Sequence, residues 1–465
     1  MSDQNPQVSK ERQHFGSRIG FILLSAGCAI GLGNVWKFPM MVGEMGGGSF
    51  VLVYLFCLAL IGIPVLTMEY AVGRAAQASP VRVYHKLVPT KKPWRAHGYI
   101  SLAANIVLMM FYTPVAGWIL RYAGFAAVGS FETKNAEQIE HLFYTDVLED
   151  PWMMLLFTAI VAIVCSLVCS LSLGGGLEKI TKYMMIALMV MLVAIAGYGL
   201  TLSGASEGIA FYLKPDFSKI NLKIFGAAMC QAMFTLSLGI GCMAIFGSYI
   251  GRERSLLGES VNVVVLDTLV ALVSGLIIFP ACFTFGIQPD SGPGLLFITL
   301  PNVFISLPGG RIWGCLFFIF MVFAALSTVI AVYENIIACI VELTGWRRKP
   351  TSFVVCLGMI ILCIPMILGY NVWSGFRPFG LEGKNIYDLE DFFVTYLSIP
   401  LGSLAYILFC TNRFGWGWEN YLAEVNEGKG MKVRKGMYVY MRFILPILVL
   451  AIFIISLLGY FGIMG

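Results

Sequence analysis

The chain has 465 residues, 58% of them hydrophobic and 12% charged, with a mean hydropathy of +0.82, which excludes an ordinary soluble domain and a disordered chain alike. Its net charge of +5 sits mostly in short loops, so it argues for membrane orientation and against nucleic-acid binding. The 12 cysteines fall in or beside apolar runs without the paired loop spacing of a disulfide framework or zinc site, and read as small core residues.

A polar start, MSDQNPQVSKERQHFGSR, leads into the first apolar run without a small-residue cleavage site, so residues 1–16 read as a cytoplasmic N-terminal segment and not a removable signal. Roughly eleven runs then follow that are long enough to cross a hydrocarbon layer about 30 Å thick as helices. Segments 1 to 11 are predicted at 17–38, 49–72, 98–127, 151–172, 179–203, 223–249, 257–288, 311–345, 352–370, 388–410 and 437–463. The alternation of a barrel is missing. Residues 17–203 therefore hold segments 1–5, 204–222 an external loop, 223–410 segments 6–10, and 411–465 a cytoplasmic loop with segment 11.

Basic residues orient these spans. Arg82, Lys86, Lys91, Lys92 and Arg95 lie between segments 2 and 3, Arg252 and Arg254 follow segment 6, and Arg347, Arg348 and Lys349 follow segment 8. These alternate loops, and with them the N-terminus, belong in the cytoplasm. Short loops and the absence of any N-x-[ST] acceptor point to a bacterial inner membrane.

Polar groups at membrane depth are costly, so their positions carry more information than the apolar majority. Counted at 1.5 Å per residue, five segments bring their unusual residues to one level near mid-membrane: Gly27 to Asn34 in segment 1, Tyr112 in segment 3, QAMFTLSLGIG from Gln231 in segment 6, Asp267 in segment 7, and Ser327 with Thr328 in segment 8. Singly, the glycines are explained by close helix packing, the tyrosine by packing, and the hydroxyls by bonds to their own helix. Asp267 needs a cation, a proton or a donor. Segments 1 and 6 both look broken, and a broken helix is tolerated where its freed backbone lines a polar cavity. They open two five-segment halves, and the odd number per half makes the second inverted, an arrangement that points to alternating access.

GLGNVWKFP from Gly31, EMGGGSF from Glu44 and FTLSLGIG from Phe234 resemble the neurotransmitter:sodium symporter family, in its bacterial amino-acid transporter branch, over nearly the whole chain. The resemblance implies an all-α polytopic fold with an inverted five-plus-five helix repeat, broken helices 1 and 6, and one extra C-terminal helix. It implies one sodium site at Gly27, Ile30, Ala324, Ser327 and Thr328, and another at Ala29, Asn34, Thr235 and Asp267 completed by the substrate's carboxylate. Hard cations favour such oxygen ligands. Tyr112 matches the tyrosine that binds that carboxylate, and Phe234 the aromatic lid. The substrate pocket is expected from Cys28, Ala29, Gly31, Leu108, Phe234, Ser237, Ile240, Val329 and Val332. Gly31 stands where monoamine carriers have an aspartate, so the ligand should bring its own carboxylate. The outer gate corresponds to Lys37 and Asp391 with Gln231 nearby, and the inner gate to Arg12 and Glu342 with Tyr249 beside it.

The expected function is sodium-coupled import of neutral hydrophobic L-amino acids, with two sodium ions and no chloride requirement, Ala271 standing where animal relatives carry a chloride-binding serine. The partners are then an amino acid, sodium and the lipid bilayer, with no nucleic acid. A membrane amino-acid sensor of the same fold is the rival; it would call for a signalling tail, and only short polar ends flank the spans. An intramembrane hydrolase is disfavoured, because His14, His85, His97 and His141 lie outside the predicted spans and no H-E-x-x-H occurs.

Overall fold

The structure is a computed structural model that describes residues 17–171, 176–286 and 294–461. It is helical throughout, with no strand among the described residues. Among the described residues nine helices are long and apolar enough to cross a membrane: Gly48–Ala76, Lys92–Val128, Pro151–Ser170, Glu178–Gly199, Leu256–Phe285, Gly310–Thr344, Arg348–Gly369, Ile386–Thr411 and Met437–Tyr460. These are segments 2 to 5 and 7 to 11. Segment 1 is a bent pair, Arg18–Ala29 and Gly33–Glu44, whose halves meet at 55°. Segment 6 is likewise split, into Leu222–Thr235 and Cys242–Gly247.

Local chemistry explains the breaks. In segment 1, Ile30 leaves the helical region at φ −74°, ψ 97°, between glycines that carry the least cost for doing so. In segment 6, Ser237, Gly239 and Gly241 have φ of +49°, +79° and +78°, which no helix accommodates. Prolines shape several other spans more gently. Wide turns at Gly33–Lys37, Leu58–Gly62, Phe392–Ser398 and Tyr440–Ile444 each end two residues before a proline: Pro39, Pro64, Pro400 and Pro446. A proline cannot donate to the carbonyl four residues back and its ring collides with it, so one extra residue in the preceding turn relieves the clash without ending the helix.

Burial sorts the segments. In segment 8, 72% of the apolar span is buried, against 17% in segment 11, which places segment 8 at the centre and segment 11 at the lipid-facing edge. The fold is the inverted five-plus-five repeat with one further helix. The stretch between segments 5 and 6 is not a plain loop, since it holds the helix Ala205–Leu213. Short helices at Pro80–Leu87 and Trp418–Val425 likewise lie between spans. The second of these is tied to segment 2: fully buried Arg74 donates to Glu424 Oε1 at 2.6 Å and to the Arg254 carbonyl at 2.7 Å, so the buried guanidinium is paired as burial demands.

Candidate functional site

The break in segment 1 leaves backbone groups that lipid cannot satisfy, and three other segments supply partners. Leu32 N–H donates to the Tyr112 hydroxyl at 2.9 Å, Gly31 N–H to Asn34 Oδ1 at 3.3 Å, and the Gly33 carbonyl accepts from Gln231 Nε2 at 2.8 Å. Segment 8 closes the other side, where Ser327 Oγ donates to the Ile30 carbonyl at 3.1 Å. A Cβ at Gly31 would collide with both the Tyr112 and the Thr328 hydroxyls, so no larger residue fits there without displacement.

Two oxygen clusters flank the break. In one, buried Asp267 accepts from Asn34 Nδ2 at 2.8 Å, and Thr235 Oγ1 lies 3.3 Å from each carboxylate oxygen; Ala29 lines the adjoining cavity. In the other, Ser327 Oγ also reaches the Ala324 carbonyl at 2.8 Å, and Thr328 Oγ1 lies 3.4 Å from the Gly27 carbonyl. Hydroxyls can turn their hydrogens away and accept. Both clusters are thus suited to a small hard cation, and one of them includes a carboxylate.

Between the clusters lies a small cavity lined by Cys28, Ala29, Gly31, Gly33, Leu108, Tyr112, Phe234, Thr235, Ser237, Ile240, Thr328 and Ile399. None of these side chains is charged. Phe234 also lines a second, larger and open cavity, shared with Lys37, Gln231 and Thr395, so its ring is the partition between the two. Lys37 Nζ sits 3.9 Å from the centre of that ring and 3.6 Å from Asp391 Oδ1. One ammonium therefore touches both the partition and the facing carboxylate, which Thr395 Oγ1 also holds at 2.7 Å.

Some expected residues stand elsewhere. Val329 and Val332 are fully buried but do not line the cavity. At roughly 100° per residue, Thr328 takes the cavity-facing position, Val329 turns away from it, and Val332 is a full turn further along. Their place is filled by Ile399 of segment 10, which nothing in the apolar run around it singles out. At the expected inner gate, Glu342 accepts from Ser79 N at 3.0 Å and from Ser79 Oγ at 2.7 Å, while the Tyr249 hydroxyl donates to Glu334 Oε1 at 2.9 Å; Glu334 in turn is bonded to Arg348 Nη1 at 3.0 Å. Arg12 lies outside the described residues. Glu69 was legible as a carboxylate inside segment 2, yet its task shows only in three dimensions: it accepts from Gly239 N in the break of segment 6.

Comparisons with known proteins agree with this fold. The model of the "Sodium:neurotransmitter symporter family" matches residues 12–147 and 140–463. A sodium-dependent transporter of Haemophilus influenzae is 32% identical over 97% of this chain and 99% of its own, and one of Bacillus subtilis 33% identical over 99% of each. The crystal structure of MhsT in complex with L-phenylalanine superposes with a TM-score of 0.87 at 37% identity, covering 96% of this chain and all of that one. A broken-helix site between two oxygen clusters, carried on a scaffold that these relatives share from end to end, leaves one conclusion: the chain is a multi-pass sodium-dependent transporter, not an enzyme, and belongs to the sodium:neurotransmitter symporter family.

Proposed function

We propose that this protein moves neutral, hydrophobic L-amino acids into the cell with sodium by alternating access. The observation that carries the reading is the uncharged, largely apolar cavity set directly against the broken backbone of segment 1. Its apolar end, from Leu108, Ile240 and Ile399, suits a hydrocarbon side chain, at about 0.8 kcal/mol per buried CH2. Its polar end, at Tyr112 and the Asp267 cluster, suits an α-carboxylate that completes a cation's ligands. MhsT, similar over nearly its whole length, was crystallised with L-phenylalanine, which supports the same substrate class here.

Two sodium ions would bind, one in each oxygen cluster. Chloride is not required, since Asp267 already supplies the negative charge and Ala271, one turn away, offers no hydroxyl. The basic loops after segments 2, 6 and 8 favour a cytoplasmic N-terminus in a bacterial inner membrane, which puts Lys37 and Asp391 on the outer side and Glu342 on the inner side. Sodium would favour the outward-open state, and substrate would then draw Phe234 and the Lys37 to Asp391 pair closed.

Uptake of labelled amino acids into proteoliposomes, with and without a sodium gradient, tests this. Leucine, isoleucine, methionine or an aromatic amino acid should accumulate only with sodium directed inward, and lysine or glutamate should not. Proton-driven uptake indifferent to sodium, or a panel won by glycine or a charged amino acid, would sink the proposal.

A further inference from the structure

The apolar end of the cavity contains a residue from outside the segments that supply the rest of its wall. Ile399 is 2% exposed and lines the cavity, whereas the other lining residues come from segments 1, 3, 6 and 8. Its position follows from two features of the backbone. The first is the wide turn Phe392–Ser398, which ends immediately before Ile399 and two residues before Pro400. A wide turn inserts a residue and rotates everything beyond it around the helix axis. The second is a direct contact between main chains. A Cβ at Gly239 would collide with the Ile399 carbonyl, and a Cβ at Gly402 with the Gly239 carbonyl. Segment 10 therefore lies against the break in segment 6 main chain to main chain, with the small Ser403 side chain beside the contact. Ile240, the residue after Gly239, and Ile399 are thus held side by side at the cavity wall.

We propose that Ile399 is a specificity-determining residue that limits how long a substrate side chain the cavity admits. This rests on the amino-acid reading of the cavity and adds a wall to it. Val329 and Val332 of segment 8 do not line the cavity, so the far end of a substrate side chain meets segment 10 in their stead. Ile399 is also braced from behind. Its carbonyl abuts Gly239, and Gly239 N–H is held by the Glu69 carboxylate, so the side chain has a fixed backstop and the limit is set by its own length.

The test is competition binding to purified full-length protein in sodium, with alanine, valine, leucine, methionine, phenylalanine, tryptophan, lysine, glutamate and 4-aminobutyrate, for wild type, Ile399→Val and Ile399→Phe. Shortening the residue by one CH2 should raise the affinity for tryptophan relative to valine by about fourfold, the factor that corresponds to one buried CH2. Ile399→Phe should move the same ratio in the opposite direction by about tenfold or more. Opposite re-ranking by two variants cannot arise from general misfolding, which lowers all affinities together. Equal loss for every ligand in both variants, or an unchanged ratio, would overturn the role of Ile399. A wild type that prefers 4-aminobutyrate or a charged amino acid would overturn the substrate class instead, and Ile399 would still be judged by whether its variants re-rank the ligands that do bind.

Discussion

Asp267 is fully buried and accepts hydrogen bonds from Asn34 and Thr235, so its carboxyl group is held in place by neutral donors. Within the proposed mechanism the positive charge comes from sodium. Asp267→Asn should then lower the apparent sodium affinity by at least about tenfold, a cost of about 1.4 kcal/mol, or make binding depend on chloride. Sodium titrations of substrate binding in chloride and in gluconate measure both effects. The wild type should titrate identically in the two salts, and a variant with wild-type sodium affinity in gluconate would remove Asp267 from the cation site. Gly31 offers a steric counterpart. Gly31→Ala puts a methyl group against the Tyr112 and Thr328 hydroxyls, and overpacking of this kind costs about 1–3 kcal/mol, so substrate affinity should fall about tenfold or more. Gly124→Ala, in segment 3 with nothing within 4 Å of the added carbon, is the control and should leave binding unchanged.

Segments meet in this molecule by losing side chains where they cross. At the Gly239 to Gly402 crossing, main chain touches main chain, as small residues allow in membrane helices. Gly402→Ala should force segments 6 and 10 apart and lower stability by about 1–3 kcal/mol, read as a fall in melting temperature in detergent with sodium present; an unchanged melting temperature would show that the crossing is slack. The crossing also marks where sequence reading stops. Existence and order of the eleven segments follow from apolar length alone, and the glycines of GLGNVWKFP and FTLSLGIG point to both breaks because they share one depth with Asn34, Tyr112, Asp267 and Ser327, which close packing alone does not require. The rotation of a segment that is apolar on every side leaves no such trace. Periodicity could not show that Ile399 faces the cavity, since the wide turn before Pro400 resets the helical phase, nor that Val329 and Val332 do not, since both follow Ser327 and Thr328 within about a turn and a half. The helices at Ala205–Leu213 and Trp418–Val425 escaped for a different reason: each is shorter than a span and adjoins polar residues that read as loop.

For the whole molecule, the quantity that matters is the balance between open and closed forms at the Lys37 end. The structure captures Lys37 in two contacts at once, with Asp391 and with the face of Phe234. Within the proposed gate both act together, and at 24% and 19% exposure the charged partners remain partly wet, so each contact alone is worth little. Lysine offers a mobile, strongly hydrated point charge, whereas arginine presents a planar fork that matches a carboxylate with two parallel hydrogen bonds and stacks on an aromatic face. If the pair forms only when the outer side closes, any gain acts on that state alone, and about 1.4 kcal/mol shifts the equilibrium tenfold. Lys37→Arg should therefore favour the occluded form, slow the escape of bound substrate toward the outside and lower turnover. Asp391→Asn should do the reverse while leaving sodium binding at the two oxygen clusters intact, because neither cluster includes it. A cysteine introduced in the wall of the open cavity, for example at Ala227, reports the state through its labelling rate by a membrane-impermeant thiol reagent; native Cys230 on the same wall is first replaced by serine. Slower labelling in Lys37→Arg and faster labelling in Asp391→Asn are expected, and unchanged rates in both would reduce the pair to interfacial anchors and leave Phe234 alone to separate the cavities.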